Sequence, residues 1–244
     1  MKHATNELTQ IERENARLRG DLLTLAKRFS HDLRTPLGGI VSTAEAMKEI
    51  LADSNPADVV LVDSLLNSAE EMTQLIKQVS FVARASANPL PKVAVHMAEP
   101  VFVARQRLES RILKSDASVK EPAKWPVVTG VAVWLEAIWW HLIRNSLRFG
   151  GEHCHIELGW AAHGDNIRFW LRDNGPGVAE PLRAKLFKEF HFLHAEQSVP
   201  GMGLSIVQRL VELQGGTTGY ESPAGGGALF YFTLPTSESA DQVR

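Results

Sequence analysis

The sequence predicts an α+β protein with more than one domain, in which a helical N-terminal part precedes a mixed α/β part. Two observations carry this prediction. From the N-terminus to about residue 84, apolar residues recur at intervals of three and four, which is the spacing of amphipathic helices. After about residue 93, short apolar segments typical of strands alternate with helical segments. The length of 244 residues is enough for one large domain or two smaller ones.

The first helix begins with a heptad repeat. Steps of three and four alternate without interruption through Leu8, Ile11, Asn15, Leu18, Leu22, Leu25 and Phe29. This is the a/d pattern of a coiled coil, in which a buried Asn such as Asn15 commonly sets a parallel two-stranded register, so we expect a homodimer. The apolar seam then continues through Leu33, Leu37, Ile40, Ala44, Met47 and Leu51. An irregular step at Phe29 and the presence of Pro36 predict local unwinding and a kink in this stretch.

A second amphipathic helix is predicted from about Ala57 to Arg84, after a break at residues 53–56. Two helices joined by a short turn form an antiparallel hairpin, and two such hairpins from two chains would form a dimeric four-helix bundle. Residues 85–92 are typical of a linker.

Residues 93–236 are predicted to form an α/β sandwich with helices on one face of a sheet. The expected strands are Ala117–Val119, His155–Trp160, Asn166–Arg172 and Ala228–Leu234. The expected helices are Val101–Lys114, Val133–Phe149 and Leu204–Gln214. The polar residues 237–244 are expected to form a tail.

The composition argues against several classes of binding partner and favours one cellular location. A net charge of −2 argues against nucleic-acid partners and against binding to an anionic membrane surface. The single cysteine, Cys154, excludes an internal disulfide and favours a reducing compartment. No apolar run approaches the roughly 20 residues of a membrane span, so we expect no direct membrane contact. The expected location is the cytoplasm, either for a cytosolic protein or for the cytosolic part of a longer or membrane-bound protein.

Residues 29–37 read Phe-Ser-His-Asp-Leu-Arg-Thr-Pro-Leu and carry the first candidate site. At about 100° per residue, His31 lies on the side of the helix opposite to the seam, with Thr35 one turn further on the same side. The neighbouring carboxylate of Asp32 can accept a hydrogen bond from the imidazole. An exposed histidine beside an acid is a candidate nucleophile. A single histidine on a surface more often has no chemical role, so this interpretation depends on the rest of the chain.

Two glycine-containing turns suit a nucleotide. The segment Asp173-Asn-Gly175-Pro-Gly177 follows a predicted strand, where an acid can accept a hydrogen bond and the backbone can approach a ligand. The segment Gly201-Met-Gly203 leads into a helix whose free N–H groups can bind phosphate. Either motif alone is equally consistent with a simple turn or a loop-to-helix junction.

The predicted helix between them has one polar face. His141, Asn145 and Arg148 lie at i, i+4 and i+7, away from the apolar positions that would pack. The amide oxygen of Asn145 is the kind of hard ligand that Mg²⁺ prefers, and Arg148 can hold a phosphate. A helix that stood alone with these residues would be explained by a solvated face.

The ordered set of these motifs, together with Phe187-x-x-Phe190, resembles the two-component sensor histidine kinases over about residues 22–235. The resemblance implies a coiled-coil signalling helix (1–21), a dimerisation and histidine phosphotransfer domain (22–84), a linker (85–92) and a catalytic ATP-binding domain (93–236) of the gyrase and chaperone type. It also implies ATP and Mg²⁺ as ligands and a response regulator receiver domain as the partner that accepts the phosphoryl group on an aspartate.

The resemblance also implies roles for individual residues. In the helical part, His31 would be the phosphoacceptor, Asp32 its acid/base partner, and Thr35 the hydroxyl that positions water in a phosphatase reaction. In the other part, Asp173 would accept the adenine amino group and Asn145 would bind Mg²⁺. Further residues would contact the nucleotide or anchor a lid over it, namely His141, Arg148, Gly175, Gly177, Phe187, Phe190, Gly201 and Gly203.

The chain departs from the family pattern at two places. His141 stands where the family often has a second Asn, and Val199 replaces the first Gly of the usual Gly-x-Gly-x-Gly run. The lid, expected from about Ala179 to Pro200, is also short and lacks a strongly basic cluster, which leaves the contact with the γ-phosphate unassigned. Two other functions are therefore retained as alternatives: a degenerate kinase that acts as a dimeric nucleotide-binding scaffold, and an ATP hydrolase of the same fold. The hydrolase relatives carry a water-activating Glu at the place of His141, which argues against the second.

Overall fold

The computed structural model describes residues 2–51, 56–87, 90–151, 153–187 and 203–236. Within the two N-terminal helices, the side chains at positions 2–9, 11–13, 16, 22, 29, 56, 57, 67, 70, 71, 74, 75 and 78 are outside the description. The chain divides into two compact units, residues 1–89 and residues 90–244. The first unit is helical, and the second combines helices with strands. The predicted tail and most of the predicted break before the second helix lie outside the described residues.

The first unit consists of two long helices, α1 (Lys2–Ile50) and α2 (Pro56–Ala87). The helix α1 runs through Pro36 without interruption, so the predicted kink does not break it. Since proline has no N–H, the carbonyl of Asp32 lacks its usual intrahelical partner at this point. The helix α2 ends at Ala87 rather than at Arg84, because residues 85–87 of the predicted linker continue the helix.

The two helices pack as an antiparallel hairpin. The buried residues between them are mostly small, namely Ala26, Ser30, Leu37 and Ala44 on α1 and Val62, Ala69, Ser80 and Ala83 on α2. A hydrogen bond joins the hydroxyls of Ser30 and Ser80, and an ion pair of 2.7 Å joins Lys48 and Asp63 nearer the turn. Small side chains allow two helix axes to approach closely, so this sequence favours a tight hairpin.

The hairpin leaves a second apolar face uncovered. On α1 the single predicted seam divides: Leu37 and Ala44 pack against α2, whereas other seam residues remain exposed. The exposed members are Leu18, Leu25, Leu33, Ile40 and Met47 on α1, and Leu61, Leu65, Met72 and Val79 form a similar row on α2. Each row lies on one side of its helix, as steps of four, seven or eight residues require. Asn15 is also exposed, and the side chains of Leu8, Ile11, Leu22 and Phe29 lie outside the description.

The second unit contains seven strands and four helices in its described part. The strands are β1 (Val93–His96), β2 (Ser118–Lys120), β3 (Val127–Gly130), β4 (His155–His163), β5 (Asn166–Asp173), β6 (Thr218–Glu221) and β7 (Ala228–Pro235). The helices are α3 (Ala98–Lys114), α4 (Ala132–Phe149), α5 (Glu180–Arg183) and α6 (Gly203–Glu212). The sequence did not predict the four-residue elements β1, β3, β6 and α5. Each of these strands buries at most two side chains, so none has a clear apolar alternation.

The five main strands form a mixed sheet in the order β2-β4-β5-β7-β6, and β1 pairs with β3 in a separate two-stranded sheet. Only β2 and β4 are parallel among the paired strands. The inner face of the sheet packs against the helices through an aromatic cluster. Trp139 of α4 meets Phe169 of β5 and Phe232 of β7, with ring centroids 6.4 and 5.3 Å apart. The expected α/β sandwich is therefore confirmed, and its central strand β5 ends at Asp173.

None of the helices in the described part of the chain combines the length and the apolar character that a membrane crossing requires.

Candidate functional site

The first candidate site lies on α1 and is open to solvent. The side chains of His31 and Asp32 are 82% and 74% exposed, and Nδ1 of His31 lies 3.1 Å from Oδ1 of Asp32. A carboxylate only accepts hydrogen bonds, so Nδ1–H of His31 donates to Asp32. In the neutral imidazole this leaves Nε2 with its lone pair and no proton. Thr35 is exposed one turn further along α1.

A positively charged groove of about 230 Å³ adjoins His31 between α1 and α2. Four cationic side chains line it, and no carboxylate is among its lining residues: Lys27 and Arg34 from α1, and Lys77 and Arg84 from α2. Neighbouring cations in a groove attract anions, so the surroundings of His31 suit a phosphoryl group. The sequence analysis did not identify this groove, because it requires the pairing of two helix faces.

The second candidate site is built around the buried carboxylate of Asp173, at the end of β5. Its Oδ1 accepts hydrogen bonds from the backbone N–H of Gly175 and of Ala228, at 3.0 and 3.1 Å. Its Oδ2 accepts a hydrogen bond of 2.7 Å from the hydroxyl of Ser146 on α4. Three donors therefore fix the carboxylate in one orientation, and Oδ2 keeps the capacity to accept a further bond.

The loop after Asp173 needs its two glycines for different reasons. A Cβ on Gly175 would lie 2.9 Å from the Cα of Gly150, so this residue allows the loop to approach the end of α4. Gly177 adopts a φ of +72°, a conformation that other residues rarely adopt. Beyond it, the N–H of Val178 donates to the hydroxyl of Tyr220 at 3.1 Å, which ties the loop to β6.

Asn145 lies on α4 directly before Ser146, in a partly exposed position. Its side chain makes no hydrogen bond to any residue in the described part of the chain, so its amide oxygen is free to bind a cation. Mg²⁺ typically takes one or two protein oxygens and completes its shell with phosphate oxygens and water. The amide oxygen of Asn145 could supply one such protein oxygen. Arg148, one turn further, is exposed with its guanidinium carbon 5.2 Å from the ring of Phe149.

His141 differs from the other polar residues of α4 because it is buried, with only 5% of its surface exposed. Its Nδ1 has no hydrogen-bond partner among the described residues. Burial, and to a lesser extent the neighbouring positive charge of Arg144, lowers the pKa of His141 to about 3. The side chain is therefore neutral at physiological pH.

This pKa predicts an acid-sensitive stability of the second unit. The unfolded chain binds a proton at His141 below its usual pKa of 6.5 and the folded chain does not, so stability falls as the pH drops from about 6.5 towards 3. We expect a loss of about 2 kcal/mol between pH 7 and pH 5 that is absent in His141→Asn. Urea unfolding followed by tryptophan fluorescence measures it, because all six tryptophans lie in this unit. An equal loss in the variant would assign the effect to other groups.

The predicted lid is described in part. Residues 179–187 include α5 and the partly buried Phe187, and the guanidinium Nε of Arg183 donates to the carbonyl of Val178 at 2.9 Å. Phe190 and Gly201 lie outside the described residues, as does Val199. Gly203 is the first residue of α6, where a Cβ would lie 3.2 Å from Nδ1 of His141.

Sequence reasoning missed several residues that shape this site. Ser146 and Tyr220 hold the carboxylate and the loop, and Gly227, with a φ of +84°, has no room for a Cβ against the carbonyl of Asp173. Ser146 follows Asn145 directly, and this adjacency was the one available signal. Tyr220 and Gly227 come from β6 and from the turn before β7, and only the pairing of the sheet brings these segments to Asp173.

Comparison with family models divides the chain in a similar way. Residues 21–88 match the His Kinase A (phospho-acceptor) domain. Residues 130–238 match the Histidine kinase-, DNA gyrase B-, and HSP90-like ATPase model. His31 and Asp32 lie in the first match, and Asn145, Asp173 and Gly203 lie in the second.

Curated proteins with similar sequences are larger than this chain. The methanogenesis regulatory histidine kinase FilI of Methanothrix harundinacea is 28% identical over 233 residues, covering 93% of this chain and 26% of that protein. The sensor protein KdpD of Escherichia coli is 29% identical over 238 residues, covering 95% of this chain and 26% of that protein. The chain thus spans about a quarter of the length of these relatives.

Solved structures show the same fold. The crystal structure of full-length ShkA in complex with AMPPNP has a TM-score of 0.64 and 25% identity, covering 87% of this chain and 45% of that chain. The histidine kinase AdeS of Acinetobacter baumannii has a TM-score of 0.59 and 21% identity, covering 85% of this chain and 98% of that chain.

Proposed function

This chain belongs to the two-component sensor histidine kinases, and we propose that it is an ATP-dependent protein-histidine kinase that phosphorylates itself on His31. The observation that carries the proposal is the exposed imidazole of His31 with its Nδ1 held by Asp32. The same chain contains a domain of the ATPase family, in which we propose that Asp173 binds the nucleotide and Asn145 its metal. A histidine kinase that phosphorylates itself needs both a nucleophilic histidine and an ATP site.

The geometry at His31 supports attack through Nε2. With the Nδ1 proton shared with Asp32, the Nε2 lone pair is free to attack the γ-phosphorus of ATP. The Nε2–P bond forms while the bond between this phosphorus and the bridging oxygen breaks, and ADP leaves with the electron pair. The positive charge that develops on the imidazole ring is offset by Asp32, which accepts the Nδ1 proton so that the ring of the phosphohistidine becomes neutral while its phosphoryl group stays negatively charged.

At the nucleotide site, Asp173 would accept a hydrogen bond from the adenine amino group through Oδ2, and Gly175 and Gly177 would form the wall against the base. This choice of acceptor favours ATP over GTP, which presents an oxygen at the same place. Asn145 would bind Mg²⁺, which when bound neutralises charge on the phosphates. Arg148 and Gly203 would lie against the phosphates, as would Gly201, and Phe187 and Phe190 would anchor the lid.

The direct test is incubation of the chain with γ-³²P-ATP and Mg²⁺. A label that is lost in acid and stable in base would establish a phosphohistidine. Absence of label from a folded chain that binds ATP would favour the alternative, a dimeric nucleotide-binding scaffold. The unusual buried His141 is the observation that keeps this alternative open.

We further propose a homodimer in which the uncovered rows of α1 and α2 meet those of a second copy. Rows of exposed large apolar residues on both helices favour this arrangement, since a four-helix bundle would bury them. His31 lies on another side of α1 and would stay accessible. The proposed boundaries are a signalling helix (1–21), a dimerisation and phosphotransfer domain (22–84), a linker (85–92) and a catalytic domain (93–236).

The acceptor after His31 is proposed to be an aspartate of a response regulator receiver domain. The cationic groove beside His31 supports this step, because it suits a phosphoryl group in transit and an acidic partner surface. Since ATP is the substrate, the proposed location is the cytoplasm. We do not expect nucleic acid as a partner.

Thr35 is proposed to position water for dephosphorylation of the receiver. Replacing it in Thr35→Ala should slow loss of phosphate from the receiver about 100-fold, while labelling of His31 continues at the wild-type rate. The assay uses a receiver domain that accepts phosphate from the wild-type kinase, chosen by screening receiver domains of the same genome. Thr43→Ala, an exposed threonine on the same helix, is the matched control. Unchanged dephosphorylation in Thr35→Ala would exclude this role.

A further inference from the structure

Arg144 and Arg148 of α4, together with Arg111 of α3, form a cluster of positive charge. Arg144 is half-buried there, and no acidic residue pairs with it in the described part of the chain. The positive charges of Arg111 and Arg148 act on Arg144 and repel its guanidinium. Such a cluster is stabilised by an anion.

The guanidinium of Arg144 is held in one place by aromatic contacts. Its central carbon lies 4.4 Å from the ring centroid of Trp140, in a cation–π stack. The ring of His141 meets the same indole edge-on, with centroids 4.8 Å apart. A stacked guanidinium loses less freedom when it binds a ligand than a free one, so this arrangement is suited to binding.

The stacked guanidinium lies beside the start of α6. A Cβ on Gly203 would be 3.5 Å from Nη2 of Arg144 and 3.2 Å from Nδ1 of His141, the buried nitrogen that has no partner among the described residues. The first N–H groups of a helix lack intrahelical partners and carry partial positive charge. Three features of different origin therefore converge on Gly203: a fixed cation, an unpaired buried nitrogen and a helix N-terminus.

We propose that Arg144 is a phosphate-binding residue of the nucleotide site and that, with the N–H groups at the start of α6, it holds the β- and γ-phosphates of ATP. The neutral His141 adds one donor, Nδ1–H, without adding charge. This inference rests on the proposed ATP binding and names the side chain that replaces the missing basic cluster of the lid. It also explains why position 203 is a glycine, because a side chain there would occupy the space between Arg144 and His141.

The test is the affinity of Arg144→Gln for ATP and for adenosine, measured by equilibrium dialysis with labelled compounds. Losing one charge-assisted contact should weaken ATP binding about 10- to 100-fold. Adenosine, which has no phosphate, should bind as to the wild type. Arg144→Lys retains the charge but not the planar fork, and it should restore part of the ATP affinity.

The matched control is Arg111→Gln, which removes an exposed charge of the same cluster that does not lie beside Gly203 and should change ATP affinity by less than about threefold. Equal losses for ATP and adenosine in Arg144→Gln would assign Arg144 to the shape of the pocket and overturn the proposal. Unchanged ATP affinity in Arg144→Gln would overturn it as well. Absence of ATP binding by the wild type would instead contradict the proposed function, which separates the two failures.

Discussion

His31→Gln is expected to abolish incorporation of acid-labile, base-stable phosphate from γ-³²P-ATP, a loss of at least about 100-fold. A glutamine amide has no lone pair of comparable nucleophilicity on nitrogen, so no N–P bond can form. His31 is 82% exposed on α1 and its only side-chain contact described is with Asp32, so the variant should fold as the wild type does. Binding of ATP should also be unchanged, because the nucleotide residues belong to the other unit.

The control for His31→Gln is His163→Gln, which replaces an exposed histidine of the second unit. It should be labelled at the wild-type rate. Residual label on His31→Gln with the same acid and base stability would place the phosphoacceptor on another of the nine histidines.

Asp173→Asn is expected to lower ATP affinity about 100-fold while the fold is retained. The asparagine oxygen can still accept from the N–H groups of Gly175 and Ala228, and its NH₂ group can donate to the hydroxyl of Ser146. The adenine amino group, however, would then face a donor rather than an acceptor, and a buried donor without a partner costs about 1–3 kcal/mol. Equilibrium dialysis with labelled ATP measures the loss.

Asp173→Asn is also expected to change the nucleotide specificity. Inosine triphosphate has an oxygen where ATP has the amino group, and the NH₂ group of the asparagine can donate to it. The ratio of affinities for inosine triphosphate and ATP should therefore rise in Asp173→Asn. Asp116→Asn is the matched control, since Asp116 is an exposed aspartate of the same unit and forms an ion pair of 2.8 Å with the exposed His153. Unchanged ATP affinity in a variant with native tryptophan fluorescence would contradict the role of Asp173.

The sequence was sufficient to predict the fold class and the long elements. The helices α1 and α4 and the strands β5 and β7 have apolar patterns that persist over many residues, and the structure gives them bounds close to those predicted. The short strands β1, β3 and β6 were not predictable, because each exists through its pairing partner rather than through its own pattern. The family membership followed from motif order and is confirmed by the comparisons.

The candidate site residues also divide into those that the sequence predicted and those that it did not. His31 with Asp32, Asn145, and the Asp173 loop lie in contiguous motifs, which is why the sequence identified them as candidates; their roles follow from the family resemblance and stay predictions. Ser146, Tyr220 and Arg144 were not identified as site residues. Their importance depends on groups that lie 27, 42 and 59 positions away along the chain, namely Asp173, Val178 and Gly203. No local spacing encodes contacts of that kind.

What the sequence determined by itself is the direction of each side chain around its own helix or strand, since about 3.6 residues per turn and an alternation of two follow from backbone geometry. It therefore placed His31 away from the apolar seam and His141, Asn145 and Arg148 along one side of α4. Only the tertiary structure decided which apolar residues of α1 pack against α2 and which remain for a partner, and it buried His141 and stacked Arg144 on Trp140. These outcomes depend on neighbouring elements, because burial and electrostatic environment are properties of the packed molecule and not of the segment.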